Sequence, residues 1–145
     1  MAAVLPEEMG QIEQITFYKA TDGNLFNDET SCTNYQQTID LIKKDICFFN
    51  SSFSKFQFAT SNLNNFTVKM EDYDYIAVSS LDSWNKLLET YLNNIDTTER
   101  ELPAVLKGGY YYYDKTFDKW KHFQDEIDSL TKTLNQLKNP TQGTS

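Results

Sequence analysis

Apolar residues recur every three or four positions along two long segments of the chain, the spacing that places side chains on one face of an α-helix. The first segment follows Asn27 and Asp28, either of which can cap a helix, and it ends at Asn50. Its apolar stripe consists of Cys32, Tyr35, Ile39, Ile42, Ile46 and Phe49. This spacing predicts a helix over residues 30–49 with one face packed on a sheet.

The second long segment lies near the C-terminus, and its spacing is that of a coiled-coil seam sustained over almost three heptads. We predict a helix that begins near Asp114 and runs to Lys138, before Asn139 and Pro140 end it. Its apolar positions are Trp120, Phe123, Ile127, Leu130, Leu134 and Leu137. The stripe can pack on the domain's own sheet or against a symmetry mate. Because the seam is narrower than the face of a typical globular helix, we predict a homo-oligomer joined through these six residues.

A shorter amphipathic segment and several strands complete the predicted fold. Ser79 or Ser80 can cap a helix that carries Trp84 and Leu87. Strands are predicted at 14–21 and 24–26, joined by a tight turn at Asp22 and Gly23, and at 56–59, 66–70, 73–79 and 105–113. We therefore predict one α+β domain over residues 14–138, with a small, mostly antiparallel sheet packed by three helices. Tails are expected at 1–13 and 139–145.

Charge and composition exclude several classes of protein. The net charge is −8 and Arg100 is the single arginine, so the sequence shows no basic stripe for general nucleic-acid binding. No apolar run is long enough to span a bilayer, and no signal peptide is recognisable, so we expect a cytoplasmic protein without a membrane partner. Cys32 and Cys47 both fall in the first predicted helix, about 22 Å apart along it, and are expected to be free, buried thiols.

Residues typical of catalysis or metal binding do not converge in this sequence. His122 is the single histidine, and we interpret it as a packing or surface residue. Phosphate-binding loops, dinucleotide fingerprints, zinc-ligand pairs and nucleophile elbows are absent from the sequence. We therefore expect a protein that is not an enzyme, with no catalytic residues, metal site or cofactor.

The run Tyr110 to Tyr113 is the strongest candidate for recognition. In a strand, Tyr110 and Tyr112 face one side and the other two tyrosines face the opposite side. Exposed tyrosines present an apolar ring at small entropic cost and can stack on a purine. With Lys107 beside them and Lys19 on the N-terminal hairpin, they form the predicted ligand-binding set; ordinary amphipathic sheet residues are the alternative interpretation.

The segment 18–35 resembles the opening of small bacteriophage accessory proteins. It places the hairpin sequence Lys19-Ala-Thr-Asp-Gly-Asn-Leu-Phe26 before an acidic cap and a helix with Cys32 and Tyr35. Such proteins include phage anti-defence factors, among them the oligomeric sponge proteins that sequester cyclic ADP-ribose signals of the Thoeris system. The resemblance implies a phage setting and carries over no binding residues.

Two functions follow as hypotheses. The first is a phage-type anti-defence protein that evades host immunity by stoichiometric binding, either by capturing a cyclic nucleotide signal or by blocking a host defence protein. The alternative is a structural or assembly protein of a virion or complex, which self-associates through its C-terminal helix.

Overall fold

The computed structural model describes residues 2–4, 16–59 and 66–140, which form an α+β fold as predicted. The helices are α1 (Glu29–Asp45), α2 (Leu81–Tyr91) and α3 (Phe123–Lys138). The strands are β1 (Ala2–Val4), β2 (Phe17–Lys19), β3 (Leu25–Phe26), β4 (Ile46–Phe49), β5 (Lys55–Phe56), β6 (Val68–Lys69), β7 (Tyr75–Val78), β8 (Ile95–Asp96), β9 (Gly109–Asp114) and β10 (Lys119–His122). Among the helices of these residues, none is long and apolar enough to cross a bilayer.

A five-stranded antiparallel sheet with the order β10-β9-β7-β4-β5 organises the molecule. Alternating side chains of its central strands are buried on one face, including Phe48, Ile76 and Tyr111. Helices α1 and α2 pack against each other and against β4 and β7, and their buried residues join the same core. The sheet therefore has one face covered by two helices.

The end of the first helix differs from the prediction. Asp28 caps α1 by accepting from the backbone N–H of Ser31 at 2.9 Å, as one of the two predicted caps, but the helix ends at Asp45. Ile46 to Phe49 instead form β4, which pairs residue by residue with β7. The predicted helix over 30–49 was therefore wrong in its last turn, because Ile46, Phe48 and Phe49, which are β-branched or aromatic, gain more from a central sheet position than from a helix end. Cys47 lies on this strand, half-buried, whereas Cys32 is buried in α1.

The N-terminal hairpin is confirmed and belongs to a separate sheet of order β1-β2-β3. Gly23 has a φ of 97° in the turn, a conformation that favours glycine. Strand β1 pairs antiparallel with β2, so residues 2–4 of the predicted tail are part of a sheet. The rest of that tail, and residues 141–145 of the predicted C-terminal tail, lie outside the described residues.

A buried polar cluster ties this hairpin to the helices. The Asp22 carboxylate, 1% exposed, accepts hydrogen bonds from the hydroxyl groups of Tyr35 on α1 and Tyr91 on α2, the latter at 2.9 Å. It also accepts from the Asn24 side chain at 3.0 Å. Burial chiefly, and the neighbouring carboxylate in addition, raise the pKa of both tyrosines far above its usual value. The hairpin is thereby held in one position on the helical layer.

The second helix is capped by Ser80, whose Oγ accepts from the backbone N–H of Ser83, which confirms one of the two predicted caps. Its buried side chains include Trp84, Leu87 and Tyr91. The connections before and after it bring β6 and β8 together as a short parallel pair. This pair is a separate two-stranded sheet.

The C-terminal region departs most from the prediction. Residues 109–122 form a β-hairpin, and α3 begins at Phe123 rather than near Asp114. Asp114 forms the turn by accepting from the backbone N–H of Thr116 at 2.9 Å. Trp120 therefore lies on β10, opposite Tyr113, and packs against the core. The placement of Trp120 on the helical stripe was wrong, because pairing with the tyrosine strand overrides the local helical spacing.

Candidate binding surface

The second face of the five-stranded sheet is not covered by α1 or α2. Cross-strand pairing aligns two rows of side chains on it. These rows are Cys47–Ala77–Tyr110 and Phe49–Tyr75–Tyr112, and we call these six residues the open face. Tyr110 is 66% exposed, and the other five are half-buried. Sheet alternation therefore places an apolar, largely aromatic surface opposite the core.

The turn between β4 and β5 adds an aromatic residue to the open face. Asn50 holds this turn with its side-chain oxygen, which accepts from the backbone N–H groups of Ser52 at 2.9 Å and Ser54 at 3.0 Å. Phe53 stands in the turn with a φ of 63°, a left-handed conformation that bulky residues rarely adopt. Its ring stacks on Tyr75, with centroids 5.5 Å apart and an interplanar angle of 17°, yet the residue is 71% exposed. A strained backbone thus supports an exposed phenylalanine.

The first turn of α3 closes the other side of this surface. Phe123 packs against Tyr112, with ring centroids 4.5 Å apart, and against Tyr75 at 6.3 Å. Between this turn and the sheet lies a groove with a volume of about 920 Å³. Its apolar lining consists of Phe49, Phe53, Tyr75, Tyr110, Phe123 and Ile127, and we call it the aromatic groove. Such a concave apolar site suits an apolar or aromatic group of a ligand.

His122 fixes the direction in which α3 leaves the sheet. Its Nδ1 accepts from the backbone N–H of Asp125 at 3.3 Å and so caps the helix, while its Nε2 lies 3.0 Å from the carbonyl oxygen of Gly108. The imidazole ring lies over Gly109, where a Cβ atom would be 2.4 Å from Nε2. Gly109 also has a φ of 134°, so both the lack of space for a Cβ atom and the backbone conformation favour glycine at this position. The single histidine is therefore a positioning residue for the groove wall.

Charged groups stand at the rim of the groove. Among the described lining residues, Lys107 is the one lysine or arginine, and its ammonium group pairs with the Asp125 carboxylate. This hydrogen bond raises the pKa of Lys107 and lowers that of Asp125. Because the cation is already paired with an anion, the groove offers little net positive charge to a phosphate.

The predicted ligand-binding residues are brought together only in part. Tyr110 and Lys107 line the aromatic groove, and Tyr112 lies beneath Phe123 on the open face. Lys19 belongs to β2 in the separate N-terminal sheet. Phe49, Phe53 and Tyr75 also line the groove but were not predicted as site residues. Their closeness in space depends on strand register and on a turn conformation for which a phenylalanine gives no local signal.

The C-terminal stripe is exposed. Helix α3 contains no buried residue, and each residue from 127 to 140 is exposed. We call Ile127, Leu130, Leu134 and Leu137 the α3 stripe; their exposed fractions lie between 50% and 72%. Of the two arrangements left open by the sequence, the helix does not pack this stripe on its own sheet.

The surroundings of the two cysteines and of the possible metal ligands decide what chemistry these side chains can support. Burial raises the pKa of the Cys32 and Cys47 thiols, which disfavours a reactive thiolate. Within residues 2–4, 16–59 and 66–140, no group of three or more histidine, cysteine, aspartate or glutamate side chains could hold a metal ion.

Comparison with known proteins gives no relative: no family model matches the chain, and neither the curated proteins nor the solved structures contain a significant match to it.

Proposed function

We propose that this protein acts by stoichiometric binding and that the aromatic groove is its binding surface. The observation that carries the proposal is Phe53, an exposed phenylalanine in a left-handed conformation, stacked on Tyr75 at the groove wall. Backbone strain of this kind costs of order 1–3 kcal/mol and clusters at sites where it serves a function. A residue such as asparagine or glycine would fit this turn better, so the phenylalanine ring itself is the useful part.

The character of the groove favours an apolar segment of a protein as the ligand. Its walls are aromatic, Lys107 at its rim is paired with Asp125, and the chain carries a net charge of −8. Burial of an apolar side chain in such a site is favourable without any added charge. Capture of a cyclic nucleotide signal would use Tyr110 for stacking and would have to take Lys107 from its partner.

Together with the resemblance of residues 18–35, this favours a phage anti-defence protein that blocks a host defence protein. The test is phage plaque formation on bacteria that carry a defence system and express the wild-type protein or Tyr110→Asp. Wild type should restore plaques and Tyr110→Asp should not, whereas Phe66→Ser, an exposed phenylalanine elsewhere on the molecule, should behave as wild type. Equal restoration by all three proteins would contradict the role of the groove.

A binding assay with the purified protein distinguishes capture of a nucleotide signal from blocking of a host defence protein. Purified wild type is incubated with a panel of cyclic nucleotides that includes cyclic ADP-ribose, then separated and denatured. Recovery of an intact nucleotide would support the capture version, and a modified product would indicate an enzyme. If the protein blocks a host defence protein, it should retain no nucleotide and should still restore plaque formation.

Self-association is the second candidate function, and the exposed α3 stripe favours it. An isolated helix of 16 residues is marginal in water, so α3 needs a contact to cover its apolar side chains. Light scattering should give an oligomer for wild type and a monomer for Leu134→Asp. Gln136→Asp, on the opposite side of the helix, is the matched control and should remain oligomeric; a monomeric wild type at micromolar concentration would contradict self-association.

A further inference from the structure

The apolar positions of α3 divide into two groups with different surroundings. Phe123 already packs against Tyr75 and Tyr112 of its own sheet. The α3 stripe continues from it along the outward part of the helix, and all four of its side chains are at least half exposed. Ile127 belongs to both the stripe and the aromatic groove, so the two apolar surfaces are continuous. Whatever covers the stripe therefore also reaches the groove.

Charges along α3 select the orientation of a second copy. The first half of the helix carries Asp125, Glu126 and Asp128, of which Asp125 and Glu126 already lie beside Lys107 and Lys121, whereas the last turn carries Lys138. In an antiparallel pair, Asp128 and the acidic first turn of each helix lie toward the basic last turn of the other, and the two helix dipoles point in opposite directions, which is favourable. A parallel pair would place acid beside acid. Charge complementarity therefore favours a second copy in the antiparallel orientation.

The stripe also fixes the register of such a pair. Its spacing places Ile127 and Leu134 at one seam position of a heptad and Leu130 and Leu137 at the other. Each of the four residues of the α3 stripe faces a stripe residue of the second copy when the two-fold axis of the pair passes near residue 132. Leu130 then faces Leu134 of the second copy, and Ile127 faces its Leu137.

We propose that two copies pair through antiparallel α3 helices in this register, and that Leu137 of the second copy completes the wall of the aromatic groove beside Ile127. The inference rests on the proposed self-association and adds to it an orientation, a register and a composite site. Each groove is then built from two chains, and the dimer presents two of them. A ligand of the groove would contact both copies.

Disulfide cross-linking tests this register in the full chain. Cys47 is replaced by serine, and Cys32 is fully buried, so each engineered cysteine is the accessible one. Thr131 flanks the seam close to the proposed axis, and Ser129 lies away from it. Thr131→Cys should cross-link to itself on mild oxidation, and the control Ser129→Cys should not.

A mixture of two variants tests the orientation. Gln124→Cys and Lys138→Cys should form a mixed cross-linked dimer, because the antiparallel register brings these positions together. In a parallel pair they would be about 21 Å apart along the helices and would not react with each other. A dimer without the 124–138 cross-link would overturn the inference and leave self-association standing, whereas a monomer by light scattering would contradict both.

Discussion

At the scale of single residues, the candidate site depends on two backbone conformations that most side chains avoid. Phe53 occupies the left-handed region in the β4–β5 turn, and Gly109 has a φ of 134° beneath the His122 ring. The first conformation raises an aromatic ring above the sheet, and the second lets the ring that caps α3 approach the backbone. Both walls of the aromatic groove are therefore set by local geometry.

Replacement of Phe53 by asparagine should separate stability from binding. Asparagine tolerates the left-handed region, so the relief of about 1 kcal/mol of strain offsets the loss of the stacking contact with Tyr75, of similar size. The free energy of unfolding in urea should therefore change by about 1 kcal/mol or less. Fluorescence of anilinonaphthalene sulfonate, a dye that binds apolar grooves, should fall. An unchanged signal, or a fall of the same size for Phe66→Asn, would count against the groove as the exposed apolar site.

Gly109→Ala should destabilise the protein by about 2 kcal/mol or more, since the new Cβ meets the His122 ring and the backbone conformation is unfavourable. Gly108→Ala is the matched control. It should reduce stability less, because the atom nearest to its new Cβ, the Val78 carbonyl oxygen, is 3.1 Å away, compared with 2.4 Å at Gly109. Urea denaturation measures both. In combination with His122→Ala, the effect of Gly109→Ala should shrink; full additivity would show that the contact with His122 is not the cause.

At the scale of elements, strand pairing decides where the helices begin and end. Helix α1 stops at Asp45 because the next four residues pair with β7, and α3 starts at Phe123 because the preceding four pair with β9. What remains of the C-terminal segment is a helix held to the sheet by its first turn, with no buried residue. We therefore propose that its stability depends on contacts made outside its own chain.

The helix content of the protein should consequently depend on concentration. On dilution, circular dichroism at 222 nm should lose the contribution of up to the 16 residues of α3, because an uncovered helix of this length is marginal in water. Leu134→Asp should show the reduced signal at all concentrations. A signal that stays constant on dilution and is equal in Leu134→Asp would mean that α3 is stable without a partner.

At the scale of the whole molecule, the aromatic residues are divided between two faces of one sheet. Tyr111 lies in the core, whereas Tyr110 and Phe53 are exposed on the groove side. A second set of tyrosines, Tyr35 and Tyr91, joins the N-terminal hairpin to the helices through the Asp22 carboxylate. The buried tyrosines thus hold the layers together, whereas the exposed ones are those for which we propose a role in recognition.

This division predicts a loss of stability at alkaline pH. Burial raises the pKa of Tyr35, Tyr73, Tyr91 and Tyr111 in the folded state, so the unfolded state loses their protons first. The contribution of these tyrosines to the free energy of unfolding is complete below a pH of about 10, the pKa of tyrosine in the unfolded state. It decreases as the pH rises above this value. Urea denaturation between pH 8 and 11 should show this decrease, and Tyr91→Phe should weaken it. The same slope in both proteins would show that Tyr91 does not contribute to the decrease.

Local sequence patterns determined the classes of structure in this protein. The Asp28 cap, the turn at Gly23 and the apolar spacing of α1 and α2 are signals within a few residues of each other, and each predicted its element. The alternation of Tyr110 and Tyr112 with Tyr111 was likewise readable, because side chains in any strand alternate. These features depend on backbone geometry that neighbouring residues share.

Only the tertiary structure decided which residues meet. Ile46 to Phe49 and Lys119 to His122 have spacings that fit a helix, but pairing with β7 made the first segment a strand, and pairing with the neighbouring strand β9 of the central sheet made the second one a strand. The groove joins Phe49, Phe53, Tyr75 and Phe123 across three separate segments, and no local pattern encodes that register. Helix and turn signals arise from contacts close in sequence, whereas strand pairing and the site built on it gain their free energy from contacts far apart in the chain.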